Sequence, residues 1–433
     1  MVAATRRSVL ELFNASPEHF EVIFVANATA AIKLVAEAFQ GNEEGFDYYY
    51  HLDSHTSLVG VRELANKSHC FSSDKETEQW IISGTAQSGQ DSSARPSLFA
   101  YPAQSNMNGR RLPLSWPNRL RSSPGLQNRY VLLDVAAYVS TSPLDLSDHN
   151  TAPDFMSLSF YKIFGFPDLG ALIVRKAAAH VFDKRRYFGG GTTDMITVDE
   201  KPWVARKKRS LSDSIEDGTS ATHSILALKC AIEVHADMYG GLAQVSKHTA
   251  WLAKQLYDHL RALQHSNGQP VCHIYEDPKS TYGDRITQGA TVAFNILDRN
   301  GAWLESSAVG NLAMAANIHL RSGALCNPGG MAHALDMTAE DIRRDYAAGR
   351  VCGQGGDGTT PYGMVRASFG ACSTLTDVHL LVRFVGDIFM GDEKLLQEKE
   401  LANTSVPGDW RRGARAILHR KGGSHGRRNL FHE

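Results

Sequence analysis

Short apolar runs of strand length recur along the first half of the chain, at residues 21–25, 48–52, 97–101, 130–134, 155–160 and 170–175. Runs of that kind predict strands buried on both faces of a sheet. Residues 28–39 follow an Asn-Ala-Thr turn and repeat small and apolar side chains at helical period, which predicts a helix starting at that turn. Strand and helix patterns in alternation predict an α/β unit around a mostly parallel sheet. The Ser-, Gly- and Gln-rich stretch 83–96 reads as a surface loop. From 220 to 263 the pattern turns helical, and beyond it becomes an α+β mixture whose clearest strand is 291–296. The expected division is a large domain over 1–240 and a smaller α+β C-terminal domain over 241–390, with no internal repeat.

Composition changes this picture little. A chain of 433 residues is long enough for two domains, and a net charge of -1 gives no global field to recruit nucleic acid or a membrane surface. No apolar run reaches the roughly 18 residues of a membrane helix, and the start Met1-Val-Ala-Ala-Thr-Arg-Arg has no apolar signal core. Six cysteines (Cys70, Cys230, Cys272, Cys326, Cys352, Cys372) are scattered without CxxC pairs, which predicts neither a zinc site nor a disulfide framework. A cytoplasmic protein is expected. Residues 409–433 hold seven lysines or arginines against Asp409 and Glu433, with little to bury, so 391–433 reads as a basic, disordered tail.

The candidate chemistry centres on Ser157-Leu-Ser-Phe-Tyr-Lys162-Ile-Phe-Gly165, where one lysine lies between a strand-like run and a glycine turn. A lone lysine after a strand is most often a surface residue. Here Tyr130-Val-Leu-Leu-Asp134 precedes it, an apolar run ending in a carboxylate that faces the carboxyl edge of a sheet. Amine, carboxylate and a helix-start turn at Asn27-Ala28-Thr29 are what pyridoxal phosphate needs: a Schiff-base partner, an acid for the pyridine nitrogen, and donors for the phosphate.

With those pieces in order the chain resembles the molybdenum cofactor sulfurases, the cysteine-desulfurase-like members of the class V aminotransferase group. The resemblance is carried by Ser159-Phe-Tyr-Lys162-Ile-Phe-Gly165-Phe-Pro167 with Leu169-Gly-Ala-Leu-Ile-Val174, by His51-Leu-Asp-Ser-His55-Thr-Ser, Ser105-Asn106, Phe188-Gly-Gly-Gly-Thr192 and Glu216-Asp-Gly-Thr219, and by Leu320-Arg-Ser-Gly-Ala-Leu-Cys326-Asn-Pro-Gly329, Val351-Cys-Gly353 and Val365-Arg366-Ala-Ser-Phe-Gly370. It implies a fold-type-I transferase binding pyridoxal 5'-phosphate, with Lys162 as the Schiff-base lysine and Asp134 at the ring nitrogen. His55 would stack on the ring and move protons. Ala28, Thr29 and Ser159 would meet the phosphate, although Thr29 also reads as a helix cap. Asn106 would touch the ring oxygen or simply form a turn. Thr192 would lie on a loop reaching the phosphate of a neighbouring subunit, implying a homodimer.

For substrate chemistry the resemblance implies that Arg366 grips the carboxylate of L-cysteine, since a planar guanidinium suits that group. Cys326 would be the nucleophile that takes the sulfur as a persulfide, passed on to the molybdenum cofactor or its carrier domain; it is the residue that separates sulfur transfer from transamination. Ala324 and Met331 stand where flanking cysteines are usual, so Cys326 acts alone. The resemblance also implies an N-terminal segment before this chain's start and a C-terminal (MOSC) domain with no counterpart in 391–433. Rival expectations are another class V reaction, transamination or lysis, and an inactive truncated paralogue.

Overall fold

The computed structural model describes residues 1–83, 95–123, 128–199, 201–349 and 361–390. Most of the expected 83–96 loop, the Val351-Cys-Gly353 motif with Cys352, and the basic tail lie outside these residues. The strands are β1 (Phe20–Val25), β2 (Asp47–His51), β3 (Lys67–Phe71), β4 (Ser97–Pro102), β5 (Arg129–Asp134), β6 (Phe155–Ser159), β7 (Gly170–Arg175), β8 (Thr193–Thr197), β9 (Trp203–Arg206), β10 (Cys272–Ile274), β11 (Thr291–Ile296), β12 (Arg321–Gly323) and β13 (Met364–Ser368).

Seven strands form the large sheet in the order β1-β7-β6-β5-β4-β2-β3. Only β7 opposes the common direction, pairing antiparallel with both β1 and β6, while β3, β2, β4, β5 and β6 pair in parallel. Strand side chains alternate between faces, so each central strand feeds two apolar layers. Val131 and Leu133 of β5 join one layer with Met156, Leu158 and Ile173. Leu132 joins the other with Phe155, Leu172 and Val174. Burial on both faces is the reason these strands read as unbroken apolar runs.

The helix Val2–Leu12 and the helix Thr222–Tyr239 cover the first layer through Val9, Leu10, Ile225 and Leu228. The helix Ala28–Gln40 covers the second with Ala31, Leu34, Val35, Ala38 and Phe39, spaced to share one face. Each fully buried Leu, Val or Phe here contributes about 1.5–3 kcal/mol of transfer free energy. Because β1, β2, β4, β5 and β6 run the same way, the segments after all five meet at one edge, where an α/β sheet presents its site.

Gly240, in the left-handed region at φ 67°, ends the helix Thr222–Tyr239 and lets the chain turn into the helix Leu242–Ala262. A second sheet, entirely antiparallel in the order β10-β11-β13-β12, packs against Leu242–Ala262 and Leu375–Phe389 around Leu256, Phe294, Val365 and Phe384. Strands β8 and β9 form a separate two-stranded hairpin. No helix among the described residues is long and apolar enough to cross a membrane.

Candidate active site

The segment after β1 builds a cup of backbone donors. Asn27 is extended and its side chain accepts the Ala30 N–H at 3.0 Å, so Asn27 caps the helix, not Thr29. That leaves the Thr29 hydroxyl free of capping, 2.8 Å from Ser57 Oγ. From the end of β6, Ser159 Oγ accepts the Ala28 N–H at 2.9 Å. A hydroxyl that accepts still has its own proton to donate, so the Ser159 and Thr29 hydroxyls remain as donors at this helix N-terminus, with the Ala28 N–H beside them.

Lys162 follows in the short helix Tyr161–Phe164 and is exposed, with Gly165 at φ 79° turning the chain away behind it. Asp134 ends β5, is 9 % exposed, and accepts the Ala136 N–H at 3.0 Å. His55 Nδ1 accepts the Ser57 N–H at 3.1 Å and lies 3.0 Å from Ser57 Oγ, which sets the neutral tautomer with the proton on Nε2. Burial pushes the His55 pKa down, Asp134 works against that, and the positive charges of Lys162, Arg321 and Arg366 add to it. Five charged or titratable groups from five separate segments therefore share one field around His55.

Cys326 is half-buried on the loop after β12, and both it and Leu325 sit in the left-handed region at φ 55°. Its carbonyl accepts the Thr56 N–H at 2.9 Å and the Thr56 hydroxyl at 3.2 Å, while Arg321 Nη2 stands 3.8 Å from its sulfur. Asn106 binds the same loop, donating to Leu325 O at 2.7 Å and accepting from Asn327 at 3.1 Å, which leaves one amide hydrogen for another partner. Arg366, on β13, donates from Nη1 to Asn106 O at 2.5 Å, and its buried Nε has no partner. Burial depresses the Arg366 pKa and Arg321 depresses it further, whereas Cys326 opposes the shift.

Thr192 is not hydrogen-bonded to this group. It is fully buried in its own loop, bonded to Gly189 O at 2.7 Å, and Asp217 holds that loop through the Gly189 N–H at 2.8 Å. Glu216 takes the Phe24 N–H at 2.6 Å and pairs with Arg6 at 2.5 Å, so this part of the Glu216-Asp-Gly-Thr219 motif ties the loop to β1. Sequence reasoning assigns no role to Ser57, Thr56, Arg321 or Asn327. Arg321 and Asn327 lie inside the quoted cysteine motif, and that was their signal. Ser57 and Thr56 are short hydroxyl residues at a helix start, a type too common to single out.

An exposed amine, a strand-end carboxylate, a neutral imidazole and an anion cup at one edge, faced by a thiol and a guanidinium with no carboxylate partner among the described residues, suit chemistry at the α-carbon and sulfur of a small amino acid. The chain matches the family described as "Aminotransferase class-V" over residues 1–381. It belongs to that family. Class-V relatives include the molybdenum cofactor sulfurase of Aspergillus clavatus, 52% identical over 390 residues, and that of Botryotinia fuckeliana, 50% identical over 390 residues. These matches cover 89% of this chain but 46% and 48% of the relatives, so the chain spans about half their length. Among solved structures, the cysteine desulfurase of Thermococcus onnurineus superposes with a TM-score of 0.67 at 18% identity, over 90% of this chain and 83% of that one. The cysteine desulfurase CsdA of Escherichia coli gives 0.66 at 18% identity, over 89% and 83%. Both support the fold-type-I architecture expected from the sequence. Among the described residues no cluster of His, Cys, Asp or Glu could hold a metal ion. The donor set does fit pyridoxal phosphate, with the Ala28–Thr29–Ser159 cup for its phosphate and Asp134 and Lys162 for its ring and aldehyde.

Proposed function

We propose that this class-V chain is a pyridoxal phosphate-dependent L-cysteine desulfurase that passes sulfur, through a persulfide on Cys326, to the molybdenum cofactor or a domain carrying it. What carries the reading is the docking of the Cys326 loop, through Asn106 and Thr56, onto the sheet edge that holds Lys162, Asp134 and His55. The bound cofactor supplies an electron sink for bonds broken at the substrate. Lys162 would hold it through its side-chain amine. Asp134 would stand at its ring nitrogen and favour the protonated form, and His55, with Nδ1 accepting and its proton on Nε2, would hold or move a proton beside it. Arg366, which gives Nη1 to Asn106 O, would grip the substrate carboxylate with its remaining guanidinium N–H groups.

The Cys326 thiolate attacks the substrate sulfur. An S–S bond forms as the substrate Cβ–S bond breaks, the electron pair goes to the carbon fragment, and protonation of that fragment gives alanine. The names of the curated relatives support the molybdenum cofactor as destination, in proteins about twice as long. A homodimer completed by the Thr192 loop, a division into domains near residue 240, and a cytoplasmic location belong to the same proposal. The test is alanine and persulfide formation from L-cysteine by the cofactor-loaded chain and its Cys326→Ser variant. The variant is expected to bind cysteine, release at least about a hundredfold less alanine and carry no persulfide, since a hydroxyl attacks sulfur poorly. Undiminished alanine would move the reading to a lyase or an aminotransferase.

A further inference from the structure

Asn327, the residue after the thiol, is fully buried, and its side chain makes four hydrogen bonds. The two hydrogens of Nδ2 are shared among Asp53 O at 3.0 Å, Asn106 Oδ1 at 3.1 Å and Ser105 Oγ at 3.3 Å, and Oδ1 accepts the Gly330 N–H at 2.9 Å. Three of the partners belong to the segments after β2 and β4, on the large sheet, while Gly330 belongs to the loop's own outgoing helix. A carboxamide is the side chain that does both jobs, because it donates from one end and accepts at the other. A buttress stands behind it. Asp53 is bound by Arg110 at 2.6 Å, and Arg110 reaches Asp74 at 2.8 Å and Asp277 at 3.4 Å.

The loop needs such an anchor. Leu325 and Cys326 are consecutive non-glycine residues in the left-handed region, a conformation that persists only where the surroundings over-determine it. Both of their carbonyls are held from the large sheet, Leu325 O by Asn106 and Cys326 O by Thr56. Asn327 binds that same Asn106, so the restraints on the thiol converge on it.

We propose that Asn327 is a positioning residue whose buried carboxamide clamps the Cys326 loop to the edge of the large sheet and thereby sets where the thiol meets the substrate sulfur. It deepens the proposed desulfurase reading and rests on it for the reaction, though not for the clamp. Released from the clamp, Leu325 and Cys326 relax toward right-handed φ and the thiol leaves its place beside Arg321.

The experiment uses the full cofactor-loaded chain with Asn327→Asp, which keeps the acceptor for Gly330 but loses the donors beside Asp53, and with Asn327→Ala. Amide hydrogen exchange is read at Thr56 and Gly330, and alanine release from L-cysteine gives kcat and KM. Exchange at Thr56 is expected to quicken at least about tenfold in both variants, and exchange at Gly330 in Asn327→Ala alone, since Asn327→Asp keeps its acceptor, with β5 and β6 unchanged. The kcat falls by about tenfold to a hundredfold while the KM for cysteine stays within about twofold, because the loss is of orientation and not of substrate binding. Wild-type kcat in a variant whose loop exchanges quickly overturns the proposal, as do variants with unchanged protection. If neither variant folds, the wild-type chain decides: protected Thr56 and Gly330 amides support the clamp, and free exchange there overturns it. A wild type that releases no alanine refutes the desulfurase reading, while the exchange data still judge the clamp.

Discussion

Arg321 and Arg366 are directly opposed residues of the antiparallel pair β12–β13, and among the described residues neither forms an ion pair with a carboxylate. Like charges placed opposite each other cost stability, and an anion bound between these two would relieve that cost. Replacing Arg321 by Gln should raise unfolding stability by about 0.5 kcal/mol, read as a higher denaturant midpoint at unchanged slope. Arg366→Lys should raise the KM for cysteine about tenfold to a hundredfold, because a point charge cannot make the two parallel bonds of a guanidinium. Steady-state kinetics at fixed cofactor saturation checks it; an unchanged KM would remove Arg366 from the substrate site.

Lys162 is an exposed lysine at the sheet edge beside His55 and Asp134. Lys162→Ala is expected to abolish the visible absorption of covalently attached cofactor and its fixation by borohydride, while Lys176→Ala, on the helical turn after β7, leaves both intact. Borohydride-stable label recovered on a different peptide would refute the assignment.

Burial holds the pKa values of His55, His235 and His273 below that of free histidine. A base whose folded pKa is depressed binds fewer protons folded than unfolded, so its contribution is complete above about pH 6.5 and is lost as the pH falls below that value. Denaturant unfolding at pH 7.5 and 5.5 should show the loss. His235 packs edge-on against Phe164 with its Nε2 buried and unpartnered. His235→Phe should therefore lose less stability between those two pH values than wild type does, and an equal loss would contradict this account of His235.

Arg110 is 7 % exposed and faces Asp53, Asp74 and Asp277. Burial works to raise the Asp74 pKa, yet His51, with Nε2 3.2 Å away, and the hydrogen bonds and charge of Arg110 hold it well below the usual carboxylate range. Arg110→Met leaves buried carboxylates without their cation and is expected to cost about 3–5 kcal/mol, measured by chemical denaturation. A cost under about 1 kcal/mol would mean that water already screens the cluster.

The large sheet was legible because strands buried on both faces carry a signal at every residue. Residues 170–175 and 291–296 were bounded as they fold, and 130–134, 155–160 and 21–25 to within a residue. Lys162, Asp134 and Ser159 could be found because they follow such strands directly. The antiparallel course of β7 could not, since a buried run reads the same in either direction. The capping role fell to Asn27 because a cap is chosen by backbone geometry at one residue, and Asn, the better cap of the two, holds the extended position there. Arg110, and the role of Asn327 within its motif, escaped for a different reason: their partners lie far away in sequence, at Asp53, Asp74 and Asp277, and no local pattern encodes a contact across two sheets.

The spacing of the anion cup is metered by a single hydrogen atom. A side chain on Gly170, the first residue of β7, would place its Cβ 2.6 Å from Asn27 Cα and 2.7 Å from Leu158 O, both main-chain atoms that cannot swing aside. Strand β7 thus acts as a spacer between the turn that opens the cup and the strand that delivers Ser159 and Lys162. Even an alanine there would pry the two apart by a good part of an ångström and pull Ser159 off the Ala28 amide. The tolerance of this site is therefore set by the backbone, and a residue with no functional group is among the positions where change is least admissible.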